Sequence, residues 1–358
     1  MGLPFFDNVI SRKHDQVMAV DLGTRTTKAV SLQRRVQGFA LCGFAILDAP
    51  IYEKTLAPDL LTEHLKALTQ VLRPTTKYVS LSAGVNDVQV RHADIPRMPL
   101  HDMRQILKLN SKAYLQQDLP GHIFDCQIST RTPQSVPADK PKDSGGAQKQ
   151  KVLVAAARKQ FIDDMVQGVK GAGLILDCIF PGLIGPVNAF ERGMPELFQK
   201  EAVALVDVGF RSSSICVVVE GELVLSRVVG IGGDKITNGL AEVLNISYAE
   251  AEGIKIGMAS EVQTHLETLF APIGRELRAS LDFFEHQNDR PVTQVLLTGG
   301  SACGDFIVEK LRQELMVDCK RFNPTSFLEM QLSPQQTAEI EEVGPQLTVA
   351  LGAALAVL

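Results

Sequence analysis

The chain has 358 residues, 45% of them hydrophobic and 22% charged, which is enough for two domains with a core each. A formal net charge of −5 disfavours a general nucleic-acid binder, which carries a basic balance, and no nucleic-acid partner is expected. Six cysteines (Cys42, Cys126, Cys178, Cys216, Cys303 and Cys319) form no CxxC pair and no metal-ligand spacing, so a reducing compartment is favoured over a disulfide framework.

Residues 1–16, "MGLPFFDNVISRKHDQ", lack the apolar stretch of a signal peptide. Leu3, Phe5, Phe6, Val9 and Ile10 followed by Arg12 and Lys13 read as a disordered or self-packed leader, with contact to a membrane or partner as the alternative. Strand patterns follow at 17–21, 27–32, 39–47 and 78–83. Leu60, Leu61, Leu65, Leu68 and Leu72 give 58–72 a helical stripe, stopped before Pro74. Between about 84 and 150 the pattern changes to a strand (87–96), a helix (100–116) and a strand (122–129), a small α+β unit set into the first half. Residues 131–150 are poor in large apolar side chains and rich in breakers, which predicts a mobile loop. A strand at 151–157, a helix at 158–170 and a strand at 173–180 follow, then a helix over 185–198 interrupted by Gly193 and Pro195.

The second half opens with strands at 203–207, 212–219 and 223–229. A glycine turn leads into a helix at 234–244. Ser247 and Glu250 form a capping-box pattern for the next helix, and 261–286 contains a long amphipathic one. The strand in "VTQVLLTGG" and a helix from about Asp305 come next. The tail "LTVALGAALAVL" is too short to span a bilayer and suits a core helix.

Two hairpins repeat across the halves. "VMAVDLGTRTTKAVSL" (17–32) and "VALVDVGFRSSSICVVV" (203–219) each bring an acid, Asp21 or Asp207, to the end of an apolar strand. Gly23 or Gly209 then allows a tight turn and close approach of a ligand. Thr24 to Thr27, including Thr26, and Arg211 to Ser214, including Ser212 and Ser213, offer hydroxyls and backbone N–H groups that suit phosphate oxygens. Lys28 adds a positive charge to the first loop. The acids repel phosphate directly, but both make sense around Mg²⁺, held mostly through water. The plainer reading is a pair of acid-capped turns; the repetition favours the site. Gly299 and Gly300 end a late strand where a flat ring can approach the backbone. Gly230, Gly232 and Gly233 precede a helix whose N-terminus favours an anion. Glu252 and Lys255, three apart on a helix, read as a solvated ion pair or as groups that hold a ribose or flank a base.

Together these stretches resemble the actin-like ATPase superfamily, and within it the type IV pilus assembly PilM family, related to FtsA. "VDLGTRTTKAV" and "LVDVGFRSSSICVV" are similar to the family's two phosphate motifs and "VLLTGGSACGDFIVEKL" to its adenosine motif. "SRVVGIGGDKITNGLAEVLNISYAEAEGIKIG" resembles the segment between them, and "VALGAALA" the closing helix. The resemblance implies an α/β actin-like (ribonuclease H-like) fold, with two similar halves at 17–200 and 201–335 around a nucleotide cleft. It implies a small SHS2-type subdomain inserted at about 84–150 and a C-terminal helix at 336–358 that returns to the first half. ATP and Mg²⁺ are the implied cofactors, with Asp21 and Asp207 toward the metal. The implied partner is the cytoplasmic N-terminal tail of a PilN-like inner-membrane protein, together with pilus or secretion motor components; self-association is a further option. The implied location is cytoplasmic, held at the inner membrane through partners. Arg25, Phe210 and Arg211 stand where the family usually has small residues; they narrow the pocket, close over it, or bring an arginine to a phosphate.

Hydrolysis needs a positioned water, and no spacing selects its base; Asp177, which follows a strand, is the weak candidate. A nucleotide-binding adaptor is therefore expected, with weak or no ATP hydrolysis. An FtsA-like division filament protein and a small-molecule kinase on the same fold are the alternatives.

Overall fold

A computed structural model describes residues 14–52, 55–129, 148–302 and 305–358. The leader up to residue 13, the loop at 131–147 and Cys303 lie outside the described residues. The first strands are β1 (Gln16–Leu22), β2 (Thr26–Arg34) and β3 (Phe39–Asp48), followed by α1 (Pro58–Leu72) and β4 (Tyr78–Ala83). An inserted unit holds β5 (Val88–Pro96), α2 (Leu100–Leu115), β6 (His122–Ile128) and β7 (Lys149–Arg158). Then come α3 (Lys159–Gly171), β8 (Ile175–Pro181), α4 (Gly185–Gly193) and α5 (Pro195–Lys200). The second half carries β9 (Ala202–Val208), β10 (Ser213–Val219), β11 (Glu222–Val229), α6 (Gly233–Leu244), α7 (Tyr248–Gly257) and α8 (Gln263–Asn288). It continues with β12 (Gln294–Thr298), α9 (Asp305–Leu315), β13 (Asp318–Arg321), β14 (Glu329–Met330), α10 (Pro334–Val343) and α11 (Thr348–Val357).

Two sheets repeat one topology. The first runs β14-β3-β2-β1-β4-β8 and the second β11-β10-β9-β12-β13. In each, three antiparallel strands are followed by two parallel ones, and the first sheet adds β14 parallel to the outer edge of β3; β1 thus corresponds to β9 and β4 to β12. Both central strands bury alternate residues on opposite faces. Met18 and Val20 of β1 meet α1, while Val17 and Ala19 meet α11. Ala204 and Val206 of β9 face α8, while Val203 and Leu205 share a core with Val187 and Phe190 of α4. One core thus runs from the first sheet through α4 into the second.

The inserted unit is the antiparallel sheet β5-β7-β6 with α2 against it, and it has its own core around Met103, Leu107 and Val154. It touches the second half where His92 on β5 bonds the Leu223 carbonyl of β11 at 2.9 Å.

Several expectations are adjusted. Helix α1 has the expected bounds, but Leu61, Leu65 and Leu68 are its buried residues and Leu60 is exposed. Strand β7 starts at Lys149, two residues inside the stretch expected to be mobile. The interruption at Gly193 and Pro195 divides α4 from α5. The single closing helix expected at 336–358 is two helices, α10 and α11, separated at Gly344–Leu347, where Pro345 cannot supply a helical N–H. Helix α11 is almost wholly buried and crosses α4 so closely that a Cβ at Gly352 would overlap the Gly185 carbonyl. The stretch 334–357 is long and apolar enough to cross a membrane by composition, yet 67% of its apolar window is buried in the fold.

Candidate functional site

The cleft between the sheets is built from the ends of equivalent strands. Asp21, next to the end of β1, lies opposite Lys28 on β2 and beside Ser82 on β4. Asp207, next to the end of β9, lies opposite Ser214 on β10 and beside Thr298 on β12. Each acid therefore has a hydroxyl at its own level on the neighbouring parallel strand. Sequence reading missed that pair; the alternation of Ser80 and Ser82 within the apolar run "YVSLSAG" was the available signal. The Ser82 hydroxyl is buried and has no hydrogen-bond partner among the described residues. The Thr298 hydroxyl is instead tied to Pro345 and Thr348.

The acids are electrostatically coupled. Burial pushes the Asp207 carboxyl up to about 6, the negative charge of Asp21 adds to that, and Lys28 works against it. Burial also raises Asp21, offset by the charge and hydrogen bond of Lys28, whose Nζ lies 3.5 Å from Asp21 Oδ2. The Lys28 side chain turns inward over the turn: a Cβ at Gly23 would come 2.8 Å from its Nζ and 2.5 Å from the Thr26 carbonyl. Two carboxylates and an orphaned hydroxyl, all oxygen donors, suit a hard divalent cation that keeps most of its waters. Among the described residues no group of three or more His, Cys, Asp or Glu side chains could hold a metal ion.

The second hairpin is fastened to the helix beside it. Gly209 N–H donates to the Ser212 carbonyl (3.1 Å). The first N–H groups of α6, on Gly233 and Asp234, donate to the Gly209 and Phe210 carbonyls at 3.0 and 2.8 Å. Those two donors are thus spent within the protein, which weakens the expected anion site at that helix start. Gly232 is packed so closely on the Phe210 carbonyl that no side chain fits there. Ser213 is buried and donates its hydroxyl to the Ile231 carbonyl (2.7 Å), so it fastens the loop instead of facing a ligand. Thr24 is exposed, and Thr26 and Ser212 are half-buried.

Gly299 adopts φ +96°, and a Cβ there would come 2.5 Å from Asp207 Oδ1 and 2.6 Å from the Val208 carbonyl. Glycine is required by both conformation and contact. Gly300 borders Gln346. This places Gly299 directly beside the second acid.

Glu252 and Lys255 are joined at 2.6 Å, and neither is a free solvated pair. Lys255 Nζ also donates to the Thr237 hydroxyl (2.6 Å) and the Gly233 carbonyl (3.4 Å). The Thr237 hydroxyl lies 2.5 Å from Glu252 Oε2. Burial acts against ionised Glu252, but hydrogen bonds from Lys255 and Thr237 and the charges of Lys255 and Arg25 outweigh it and hold the carboxyl below its ordinary value. The remaining oxygen, Oε1, accepts from Arg25 Nη1 at 2.8 Å, and the Arg25 guanidinium lies 5.2 Å from the centre of the Phe210 ring. Two of the three departures noted in the motifs thus meet each other across the cleft. An ion pair this exposed contributes less than about 1 kcal/mol.

Asp177 is not part of this site. It lies 3.2 Å from His14, below the level at which Phe180 of β8 faces Ser82 of β4. Three residues of strand put it about 10 Å from the acids' end of the sheet, so it is withdrawn as the base.

A family model described as type IV pilus assembly protein PilM matches residues 139–357. The cell division protein FtsA of Bacillus subtilis (strain 168) is 30% identical over 97 residues, which are 27% of this chain and 21% of FtsA. The chain thus matches about a fifth of that relative's length. Among solved structures, a PilM-PilN type IV pilus biogenesis complex superposes with a TM-score of 0.81 at 22% identity, over 97% of this chain and 99% of that one. The ethanolamine utilization protein EutJ from Carboxydothermus hydrogenoformans gives 0.55 at 14% identity, over 94% and 88%. MreB 5 of Spiroplasma citri bound to AMPPNP gives 0.52 at 11%, over 94% of each chain. These structures share the paired-sheet architecture derived above, and the family model runs from the inserted unit through the second hairpin to α11: the fold is actin-like, and the chain belongs to the type IV pilus assembly protein PilM family.

Proposed function

We propose that the cleft binds ATP with Mg²⁺ and that the chain is a nucleotide-dependent adaptor of a type IV pilus or type II secretion-like assembly. One observation carries the reading: two equivalent hairpins bring Asp21 and Asp207 close enough that their charges disfavour each other. A bound divalent cation removes that conflict. In this reading Asp21 and Asp207 hold Mg²⁺ through water, near the Ser82 hydroxyl. Thr24, Thr26, Ser212, Lys28 and the backbone N–H groups of the turns meet phosphates. Glu252 and Lys255 meet the ribose, and the base lies along Gly299 and Gly300. Mg²⁺ would neutralise phosphate charge between the halves. A ligand gripped by both halves stabilises the closed cleft and so biases whatever surface a partner reads.

In this reading the cleft binds nucleotide without appreciable turnover, with a kinase on the same fold as the alternative. By analogy with the PilM-PilN complex, the partner is the cytoplasmic N-terminal tail of a PilN-like inner-membrane protein, which would place the chain at the inner membrane's cytoplasmic face.

Calorimetric titration with ATP, with and without Mg²⁺, tests the cleft. Magnesium-dependent binding is expected for the wild type and is expected to vanish in the Asp21→Ala, Asp207→Ala double variant. A folded, nucleotide-stripped wild type that binds nothing would sink the reading. Titration with a synthetic peptide of the PilN-like tail tests the partner separately.

A further inference from the structure

Both oxygens of Glu252 already accept. Its Oε2 is held by Lys255 and Thr237 and its Oε1 by Arg25. Oε2 already takes two donors, so a ribose hydroxyl has to approach Oε1, where the Arg25 guanidinium sits. Lys255 cannot leave easily, because its side chain is only 17% exposed and its ammonium also bonds Thr237 and the Gly233 carbonyl. Arg25 is 41% exposed and is held by a single hydrogen bond and the face of Phe210. It also stands between Thr24 and Thr26, in the loop read as meeting phosphates. Phe210 gives the flat guanidinium a surface to slide over without needing a second hydrogen bond. A phosphate is a better endpoint for it than one carboxylate oxygen, because the guanidinium fork matches phosphate oxygens in pairs.

Resting on the nucleotide reading above, we propose that Arg25 determines specificity: parked on Glu252 without ligand, it transfers to the terminal phosphates of a nucleoside triphosphate and frees Glu252 for the ribose. The cleft then selects triphosphates over nucleosides, because only a phosphate chain gives Arg25 a new acceptor. The second hairpin carries Arg211 at the matching turn position, where its charge reaches Tyr52 of the first half. Both hairpin tips thus project a cation toward the opposite half, and Arg25 is the one seen holding a site carboxylate.

The test compares Mg²⁺–ATP with adenosine, by calorimetry, on wild type, Arg25→Ala and Arg25→Lys, with thermal melts to establish folding. Arg25→Ala is expected to weaken ATP by about tenfold or more while adenosine binds as well as to wild type or better. Arg25→Lys keeps the charge but not the fork and falls between. An unchanged ATP-to-adenosine ratio, or equal tightening of both ligands, overturns the transfer and leaves Arg25 a fixed clasp. A folded wild type that binds neither ligand overturns the nucleotide reading, and the transfer with it; this differs visibly from a wild type that binds but whose ratio ignores Arg25.

Discussion

Asp207 holds its proton more tightly in the folded chain than at its ordinary value of 3.8, with a folded value of about 6. The stability this confers is complete below about pH 4 and is lost as pH rises through about 6, an effect on the order of 2–3 kcal/mol. Asp207→Asn is therefore expected to make the ligand-free protein more stable than wild type at pH 8, and to change it little at pH 4. Thermal unfolding at the two pH values measures this. Cation binding has the opposite sign: stabilisation by Mg²⁺ and nucleotide should grow as pH rises through about 6, where Asp207 becomes charged. Both acids were legible in the sequence because each stands next to the end of an apolar strand with a glycine two residues on. The destination of Arg25 was not, since hairpin spacing says nothing about what lies across the cleft. The same limit hid the engagement of the Ser213 hydroxyl with Ile231, eighteen residues away.

At the scale of elements, close backbone approach sets the tolerances. Helices α4 and α11 touch through Gly185 and Gly352, and Asn188 bridges them by donating to the Gly352 carbonyl at 3.3 Å. Gly352→Ala has no room to relax, because the obstacle is backbone. It is expected to cost about 3 kcal/mol, read as a lowered urea midpoint. Gly299→Ala should act locally instead, straining a left-handed turn and displacing Asp207, so magnesium-dependent nucleotide binding should fall before the fold does. Periodic elements such as α1 and α8 were legible in sequence. Strands β13 and β14 were not, because "DCKR" and "EM" are too short and polar to show alternation. The break between α10 and α11 was missed, because the exposed "PQQTAEIEEV" buries only Ile340 and so shows no stripe that ends before Gly344.

For the molecule as a whole, the repeated hairpin announced two halves, and the matching strand orders are the larger repeat of which it is part. The inserted unit was visible as a break in pattern, but its contact with β11 through His92 was not, because that contact joins distant edge strands. Hydrogen exchange provides a test at this scale. His92→Ala should raise exchange along the edges of β5 and β11 without altering the core strands β1 and β9.

Helix α11 covers Val17 and Ala19 of β1, yet it begins at Thr348, near the opposite end of the sequence. During synthesis, β1 leaves the ribosome on the order of tens of seconds before the helix that shelters it. Through that interval one face of the first sheet is bare apolar surface, and the early half of the chain stays half-assembled until α11 has been made.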